Sequence, residues 1–294
     1  MNTKKMVFSG CATAIVTPFK DSEIDFYALG VLIERQIEAG VSAIVLLGTT
    51  GESPTISKSE REKIIAYARE KIGTRVPLIV GAGANCTKDA IKKTKIAERL
   101  GADAVLSVTP YYNKATDRGV AEHYLRIADS TELPIILYNV PSRTGLKLSC
   151  ATLELLKDVQ SIVAIKEASG DVSEIEGKIA RFGDYFHFYS GCDELVLPIY
   201  SLGGRGVISA ASNVIPKEMA TLCALFEQND VVSATALALK IEPVIRELFA
   251  EVNPIPAKGA LSLMGLCENE LRLPLTPSTR LPELKDVLAR AGVI

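Results

Sequence analysis

The sequence predicts an α/β protein, a (β/α)8 TIM barrel followed by a C-terminal helical domain. Eight short apolar runs of strand character follow one another along the chain, and a helical pattern lies between most neighbouring runs. The runs begin about 20 to 34 residues apart, and the chain of 294 residues is long enough for a barrel of about 200 to 250 residues and an appendage.

The predicted strands are continuous apolar runs rather than alternating ones. They cover residues 14–16, 43–48, 77–83, 104–109, 134–139, 162–166, 186–190 and 206–209. Continuous apolar strands are typical of a parallel sheet whose two faces are both covered.

Start and stop signals of helices separate these runs. Ser57 and Glu60 form a capping-box pattern that opens a predicted helix ending near Gly73, and Thr87 opens another that ends at Gly101. The alternation of strand and helix favours parallel β/α units.

A doubly wound open sheet is the alternative fold. The nearest match to a dinucleotide-binding fingerprint is Gly81-Ala-Gly83-Ala-Asn-Cys86, and it lacks the third glycine. The barrel is therefore favoured.

The chain after the eighth run has no strand pattern. Predicted helices cover residues 216–228, 231–251, 257–264 and 282–291, with proline-containing loops at 253–256 and 273–277. This organisation predicts a catalytic barrel over residues 1–229 and a helical domain over residues 230–294.

Composition and charge exclude several classes of function. Hydrophobic residues make up 48% of the chain and charged residues 23%, as in globular proteins, and the net charge of −2 gives no footprint for nucleic acid or an acidic membrane. No export signal or membrane span is recognisable, which predicts a cytoplasmic protein.

Six scattered cysteines without a C-x-x-C pair favour free thiols. The chain has only two histidines, His123 and His187, which argues against a histidine metal centre or a Ser-His-Asp triad.

The first candidate for chemistry is Lys166, which ends the apolar run over 162–166. An ammonium at the mouth of a buried strand is poorly solvated, and a neutral lysine amine is a nucleophile. The alternative is a lysine that merely caps the end of the strand in water.

Other strand ends supply groups that suit a lysine nucleophile. Active sites of such barrels lie at the C-terminal ends of the strands. The turn at Thr49 and Thr50 offers hydroxyl and N–H groups to a carboxylate. Tyr138 ends the strand next to that of Lys166 and can move protons, and Arg143 can bind a carboxylate.

Tyr111 and Tyr112 follow another strand, and paired loop aromatics predict an interface or a pocket wall.

Several motifs together resemble the dihydrodipicolinate synthase family of class I pyruvate aldolases. They are Gly48-Thr-Thr-Gly-Glu52, Thr109-Pro-Tyr-Tyr-Asn113, Tyr138-Asn-Val-Pro-Ser-Arg-Thr-Gly145, Ile165-Lys-Glu-Ala168, Gly203-Gly-Arg-Gly-Val-Ile-Ser209 and Asn253-Pro-Ile-Pro256. The resemblance spans nearly the whole chain.

The resemblance implies a lyase that condenses pyruvate with L-aspartate 4-semialdehyde at the entry to diaminopimelate and lysine biosynthesis. By position, Lys166 would form the imine with pyruvate, Tyr138 would donate and accept protons, and Thr49 and Tyr112 would complete its relay. The remaining substrate contacts would come from Thr50 for the pyruvate carboxylate, the Ile208 carbonyl nearby, and Arg143 for the semialdehyde carboxylate. No metal or organic cofactor is implied, because the protonated imine is itself the electron sink.

The same resemblance implies a homotetramer built from two tight dimers, in which Tyr112 reaches the neighbouring subunit's site. It also implies an effector site for lysine at the positions Ser53, Pro54, Lys58, Arg61, Asn85, Asp89 and Tyr111. Strongly inhibited members have histidines where this chain has Lys58 and Arg61, and two cations would repel lysine, so inhibition is expected to be weak or absent.

Two alternative functions stay open. N-acetylneuraminate lyase and 2-keto-3-deoxy-sugar acid aldolases share the barrel, the lysine and the tyrosine, but the Thr49-Thr50 pair and Arg143 favour the synthase. A catalytically silent paralogue that uses the barrel as a binding or regulatory module is the alternative of another class.

Overall fold

A computed structural model describes residues 4–294, and eight parallel strands close into a barrel. The strands are β1 Gly10–Ala14, β2 Ala43–Leu46, β3 Leu78–Gly81, β4 Ala104–Val108, β5 Ile135–Asn139, β6 Ile162–Glu167, β7 His187–Ser190 and β8 Gly206–Ser209. Each strand pairs with its neighbour in the chain, and β1 pairs with both β2 and β8, so the sheet has no free edge. The predicted barrel is confirmed, and the open-sheet alternative is wrong.

The first strand lies earlier than predicted. The prediction placed it at residues 14–16, whereas β1 covers Gly10–Ala14 and the Val16 N–H donates to the Asn213 side chain at 3.0 Å instead of to a strand. Close approach explains the composition of β1, since a Cβ on Gly206 of β8 would lie 1.9 Å from the Gly10 carbonyl oxygen. A strand of small residues has no β-branched run by which to be recognised.

Helices surround the barrel and continue beyond it. Those within the barrel region are α1 Phe26–Glu38, α2 Lys58–Ile72, α3 Thr87–Arg99, α4 Asp117–Ala128, α5 Pro141–Thr144, α6 Cys150–Leu156, α7 Val172–Phe182, α8 Val196–Ser201 and α9 Pro216–Glu227. Those of the tail are α10 Val231–Leu248, α11 Ile255–Leu263 and α12 Leu281–Arg290. The predicted capping box is present at the start of α2, where the Ser57 hydroxyl accepts from the Glu60 N–H and the Glu60 carboxylate accepts from the Ser57 N–H.

Side chains alternate between the barrel interior and the helical layer. On β5, Ile136 and Tyr138 belong to the apolar cluster inside the barrel, whereas Ile135 and Leu137 belong to the cluster under the helices. Side chains of directly paired residues on neighbouring strands point to the same side of a sheet. The residue paired with Tyr138 on the next strand therefore also faces inward.

The tail helices pack on one side of the barrel. Ile241, Val244 and Leu288 share an apolar cluster with Met219 and Cys223 of α9. The helical tail is confirmed, while the boundary between residues 229 and 230 stays a prediction. Within residues 4–294, no helix combines the length and apolar character needed to cross a membrane.

Candidate active site

Lys166 and Tyr138 lie side by side within the barrel mouth. They are directly opposite each other in the pairing of β5 with β6, and the Lys166 Nζ lies 4.4 Å from the centroid of the Tyr138 ring. Both side chains are buried, with 6% and 7% of their surface exposed. An amine and a phenol are therefore held together at the carboxyl ends of two adjacent strands, where barrel active sites form.

A buried polar network holds the outer faces of the same two strands. Asn139 and Glu167 are the next pair in the register, and the Asn139 amide donates to the Glu167 carboxylate. Lys178 of α7 donates to the other Glu167 oxygen at 3.1 Å and lies 2.8 Å from Glu174. Burial raises the pKa of Glu167, and Lys178 and Asn139 oppose that shift. These contacts fix the strand ends whose inner faces carry Tyr138 and Lys166.

Gly191, just after β7, leaves room for the lysine. A Cβ at this position would lie 3.0 Å from the Lys166 Cε and 2.6 Å from the Ala168 Cβ. The next residue, Cys192, has a thiol whose pKa is raised to about 12, chiefly by burial. It is therefore a thiol at neutral pH and does not compete with the lysine as a nucleophile.

Asp193 orders the loop after β8. Its Oδ2 accepts hydrogen bonds from the N–H groups of Ala210 and Ala211, both at 3.1 Å. Burial raises the pKa of Asp193, and its bonds to Ser209 and the two N–H groups act against burial. The carboxylate thereby fixes the segment that directly follows Ile208, which is buried on β8.

The turn at Thr49 and Thr50 is tied to Arg143 through Asn253. The Asn253 side-chain amide donates to the Thr50 hydroxyl at 2.9 Å, and Arg143 donates to the Asn253 carbonyl at 3.1 Å. The Thr17 hydroxyl also stabilises the turn, because it donates to the Gly51 carbonyl at 2.8 Å. Asn253 belongs to the motif at 253–256, but the sequence predicted no role for its side chain.

Glu52, the last residue of the Gly48–Glu52 motif, is structural. Its carboxylate lies 2.5 Å from the Lys258 Nζ of α11, and both side chains are fully buried. Its other oxygen accepts from the Arg272 N–H at 3.1 Å. This carboxylate therefore joins the barrel to the tail instead of facing substrate.

A cavity of about 340 Å³ opens beside these residues. Its walls include the predicted catalytic and binding residues Thr49, Tyr138 and Arg143, and it continues past Ser53 and Tyr111. A space of this size suits small carboxylate substrates.

Tyr112 does not join the site within one chain. Its side chain is 90% exposed, its φ is +74°, and its N–H donates to the Thr144 carbonyl at 3.3 Å. Tyr138 and Thr49 are thus brought together by the fold, whereas the third predicted member of the relay faces outward.

The predicted effector positions divide into two groups. Ser53, Pro54 and Tyr111 line the cavity, and Arg61 is buried behind it, donating to the Ser53 hydroxyl at 2.7 Å and to the Gly81 carbonyl at 2.8 Å. The other three positions are bound elsewhere or exposed. Lys58 is exposed, Asp89 pairs with Lys92 at 3.3 Å, and the Asn85 carbonyl accepts from Asn113.

Lys93, for which the sequence predicted no role, also lines the cavity. It lies one helical turn after Asp89 on α3, and its Nζ donates to the Gly83 carbonyl at 3.4 Å. Burial lowers the pKa of Lys93, and Arg61 lowers it further. The i, i+4 spacing from Asp89 was the signal available in the sequence.

A closed parallel barrel with a buried lysine and tyrosine at adjacent strand ends defines an enzyme of the lysine-dependent, class I aldolase type. Comparison with known proteins narrows this class. The model of the dihydrodipicolinate synthetase family matches residues 7–290, and the chain belongs to this family.

Individual relatives agree with the family match. A 4-hydroxy-tetrahydrodipicolinate synthase of Alkaliphilus oremlandii is 46% identical over 98% of this chain and 100% of its own length. The structure of dihydrodipicolinate synthase from Thermotoga maritima is 43% identical with a TM-score of 0.96, covering 98% of this chain and 100% of that one. The chloride-inhibited enzyme from Acinetobacter baumannii, solved with pyruvate, is 45% identical with a TM-score of 0.94, over 97% and 99% of the two chains.

These findings confirm the recognised family, the predicted lyase class and the predicted synthase activity. The roles assigned to single residues stay predictions.

Proposed function

We propose that this chain joins pyruvate to L-aspartate 4-semialdehyde through an imine on Lys166. The observation that carries the proposal is the buried pair of Lys166 and Tyr138, with 4.4 Å between the amine and the ring centroid. The relative from Acinetobacter baumannii that was solved with pyruvate supports the choice of the first substrate.

The proposed reaction begins with attack of the neutral Lys166 amine on the carbonyl carbon of pyruvate. The carbinolamine loses water to give a protonated imine, and loss of a proton from the methyl carbon gives an enamine. The enamine carbon forms a bond to the aldehyde carbon of the semialdehyde, and the aldehyde oxygen takes up a proton. Attack of the semialdehyde amino group on the imine closes the ring and releases the lysine amine.

Tyr138 is the proposed proton carrier for these steps. Its ring lies against the Lys166 Nζ, so its hydroxyl is in the same small space as the groups that gain and lose protons. Thr49, which lines the same cavity, is the proposed next member of the relay.

The two substrate carboxylates are assigned to different groups, of which Arg143 lines the cavity. Thr50 is proposed to hold the pyruvate carboxylate, with the Ile208 carbonyl nearby, because its turn presents backbone N–H groups and a hydroxyl. Arg143 is proposed to bind the semialdehyde carboxylate through its planar guanidinium. Asn253 keeps these two residues in a fixed relation through its bonds at 2.9 and 3.1 Å.

The proposed assembly is a homotetramer in which Tyr112 of one subunit completes the relay of its neighbour. An aromatic side chain that is 90% exposed supports an intermolecular contact. Tyr112→Ala should leave the single chain folded by circular dichroism but lower turnover, and full activity of a monomeric species would contradict the shared site. A cytoplasmic location also stays a proposal.

The test of the substrate assignment compares two assays on the same preparation. In the first assay, a coupling reductase that acts on the product should report consumption of pyruvate and L-aspartate 4-semialdehyde. In the second assay, the protein should not release pyruvate from sialic acid. Turnover of sialic acid without condensation of the semialdehyde would favour the N-acetylneuraminate lyase alternative.

A further inference from the structure

Asn253 carries a buried hydrogen-bond acceptor that has no donor. The residue lines the cavity and is 9% exposed. Its side-chain amide donates to the Thr50 hydroxyl at 2.9 Å, and its backbone carbonyl accepts from Arg143 at 3.1 Å. Among residues 4–294, no group donates to its Oδ1. A buried acceptor without a donor is costly in free energy, so one on a residue of a substrate cavity points to a donor on the ligand.

The Thr50 hydroxyl determines which end of the amide is left free. A hydroxyl has a single proton to donate. In the proposed reaction that proton is directed at the pyruvate carboxylate, so the hydroxyl acts as an acceptor towards Asn253 and meets its Nδ2. The free end of the amide is therefore an oxygen, which takes a hydrogen bond from a donor and cannot bind a second carboxylate.

The free oxygen belongs to the residue that contacts Arg143. In L-aspartate 4-semialdehyde, the carboxylate and the ammonium are attached to the same carbon atom. When Arg143 binds the carboxylate, the ammonium is held one carbon away from it, beside the part of the wall that Asn253 forms. An ammonium has three donors and no acceptor, so it supplies what the Asn253 Oδ1 lacks.

No carboxylate in this wall is available for the ammonium. Of residues 4–294, Glu52 is the only acidic residue that lines the cavity, and its carboxylate is bound to Lys258 at 2.5 Å and to the Arg272 N–H at 3.1 Å. A neutral acceptor also suits the reaction, because the amine must lose its proton before it attacks the imine. A carboxylate at this position would raise the pKa of the amine and oppose that step.

We propose that Asn253 makes the enzyme specific for an amino aldehyde, because its Oδ1 accepts a hydrogen bond from the ammonium of the semialdehyde. The inference rests on the proposed function and adds one contact to it. Arg143 binds the carboxylate of the second substrate, and Asn253 binds the ammonium on the same carbon. An aldehyde with the carboxylate alone leaves the Asn253 acceptor without a donor and should react less well.

A comparison of two aldehydes tests this contact. Succinate semialdehyde has the carboxylate and the aldehyde of L-aspartate 4-semialdehyde but no amino group. Consumption of pyruvate, at saturating pyruvate, gives kcat/KM for each aldehyde, and their ratio defines the preference for the amino group. Where succinate semialdehyde condenses too slowly to measure, its inhibition constant against the amino aldehyde takes the place of its KM.

Asn253→Ala should lower the preference about tenfold or more, because a hydrogen bond to a charged group contributes on that order. The variant also removes the bond to Thr50, but that loss acts on pyruvate and cancels in the ratio. Thr17→Val is the matched control. It removes a hydrogen bond to the same turn, at the Gly51 carbonyl, and should leave the preference unchanged.

Asn253→Asp provides an independent result if Asn253→Ala does not fold. A carboxylate attracts an ammonium more strongly than an amide does, so this variant should lower the KM of the amino aldehyde relative to that of succinate semialdehyde. An unchanged preference in Asn253→Ala, or an unchanged or raised KM ratio in Asn253→Asp, would overturn the inference and leave the proposed function intact. Failure of the wild type to condense either aldehyde with pyruvate would overturn both.

Discussion

Lys166 and Tyr138 are neighbours because they occupy matched positions in the ladder of β5 and β6. Asn139 and Glu167, one residue further on, face the helical layer and bind each other there. The barrel therefore uses the two faces of one strand pair for different tasks. The inner face carries the reactive groups, and the outer face fixes their relative position.

Removal of the Tyr138 hydroxyl should separate imine formation from turnover. Tyr138→Phe keeps the ring against Lys166, so trapping of the pyruvate imine should still occur, but more slowly. Turnover should fall by ~10² to 10⁴-fold, the usual contribution of a positioned acid or base. Steady-state kinetics and single-turnover trapping measure the two effects, and wild-type turnover in the variant would rule out this role.

The charges beside the cavity predict a weak response to lysine. Arg61 is buried and Lys93 lines the wall, so a cationic effector would meet like charge in a region of low dielectric. Steady-state rates should therefore be unaffected by L-lysine at concentrations that match substrate. Inhibition in the low micromolar range would contradict this expectation.

Single residues differed in how far the sequence predicted them. Lys166 and Tyr138 end recognisable strands, and Thr49 and Arg143 follow such strands. These four residues were therefore predicted to lie together, because strand ends meet at one mouth of a barrel. Asn253 belongs to a loop of the tail, and its bonds to Thr50 and Arg143 depend on tertiary packing. Lys58 was expected to act with Arg61, but it is the first residue of α2 and is exposed, whereas Arg61 is buried.

At the scale of elements, the strands richest in β-branched residues were predicted to within a few residues. The failure at β1 has a physical cause, since Gly10 and Gly206 bring two backbones together where side chains do not fit. Helix α11 begins at Ile255, two residues before the predicted start. A proline in the first turn is compatible with a helix, so it does not delay the start.

The contact between α3 and α4 predicts a dependence of stability on pH. His123 of α4 is buried and faces Thr87 of α3 at 2.9 Å, and burial lowers its pKa to about 4. Between its ordinary pKa of 6.5 and about 4, the unfolded chain binds a proton that the folded chain does not, so stability falls as pH falls.

The free energy of unfolding should reveal this contribution. His123→Asn keeps a polar group near Thr87 but does not titrate in this range. The wild type should lose roughly 1 to 2 kcal/mol more than the variant between about pH 7 and about pH 5. Equal pH dependence in chemical denaturation of the two proteins would exclude His123 as the source.

At the scale of the whole molecule, one buried ion pair joins the barrel to its tail. Glu52 follows β2, Lys258 lies on α11, and the Lys258 ammonium also stands 3.9 Å from the centroid of the Phe19 ring. The position of the tail on the barrel was not predictable from the sequence, because Glu52 and Lys258 are far apart in the chain. No amphipathic pattern around either residue identifies the other as its partner.

Loss of one charge of this pair should destabilise the protein. Glu52→Gln leaves the buried Lys258 without its counter-charge, which typically costs about 3 to 5 kcal/mol. Chemical denaturation measures the change, and Lys258→Met in the same background should recover most of it. Asp286→Asn, which breaks the exposed pair with Arg290, is the control and should leave the midpoint unchanged. An unchanged midpoint for Glu52→Gln would show that the pair does not secure the tail.

The most direct test of the account is reduction of the intact enzyme with borohydride in the presence of pyruvate. Mass spectrometry of the digested protein should place one reduced pyruvate adduct on Lys166, and Lys166→Ala should show no adduct and no turnover. An unmodified Lys166 in an enzyme that still turns over, or an adduct on another lysine, would contradict the imine mechanism.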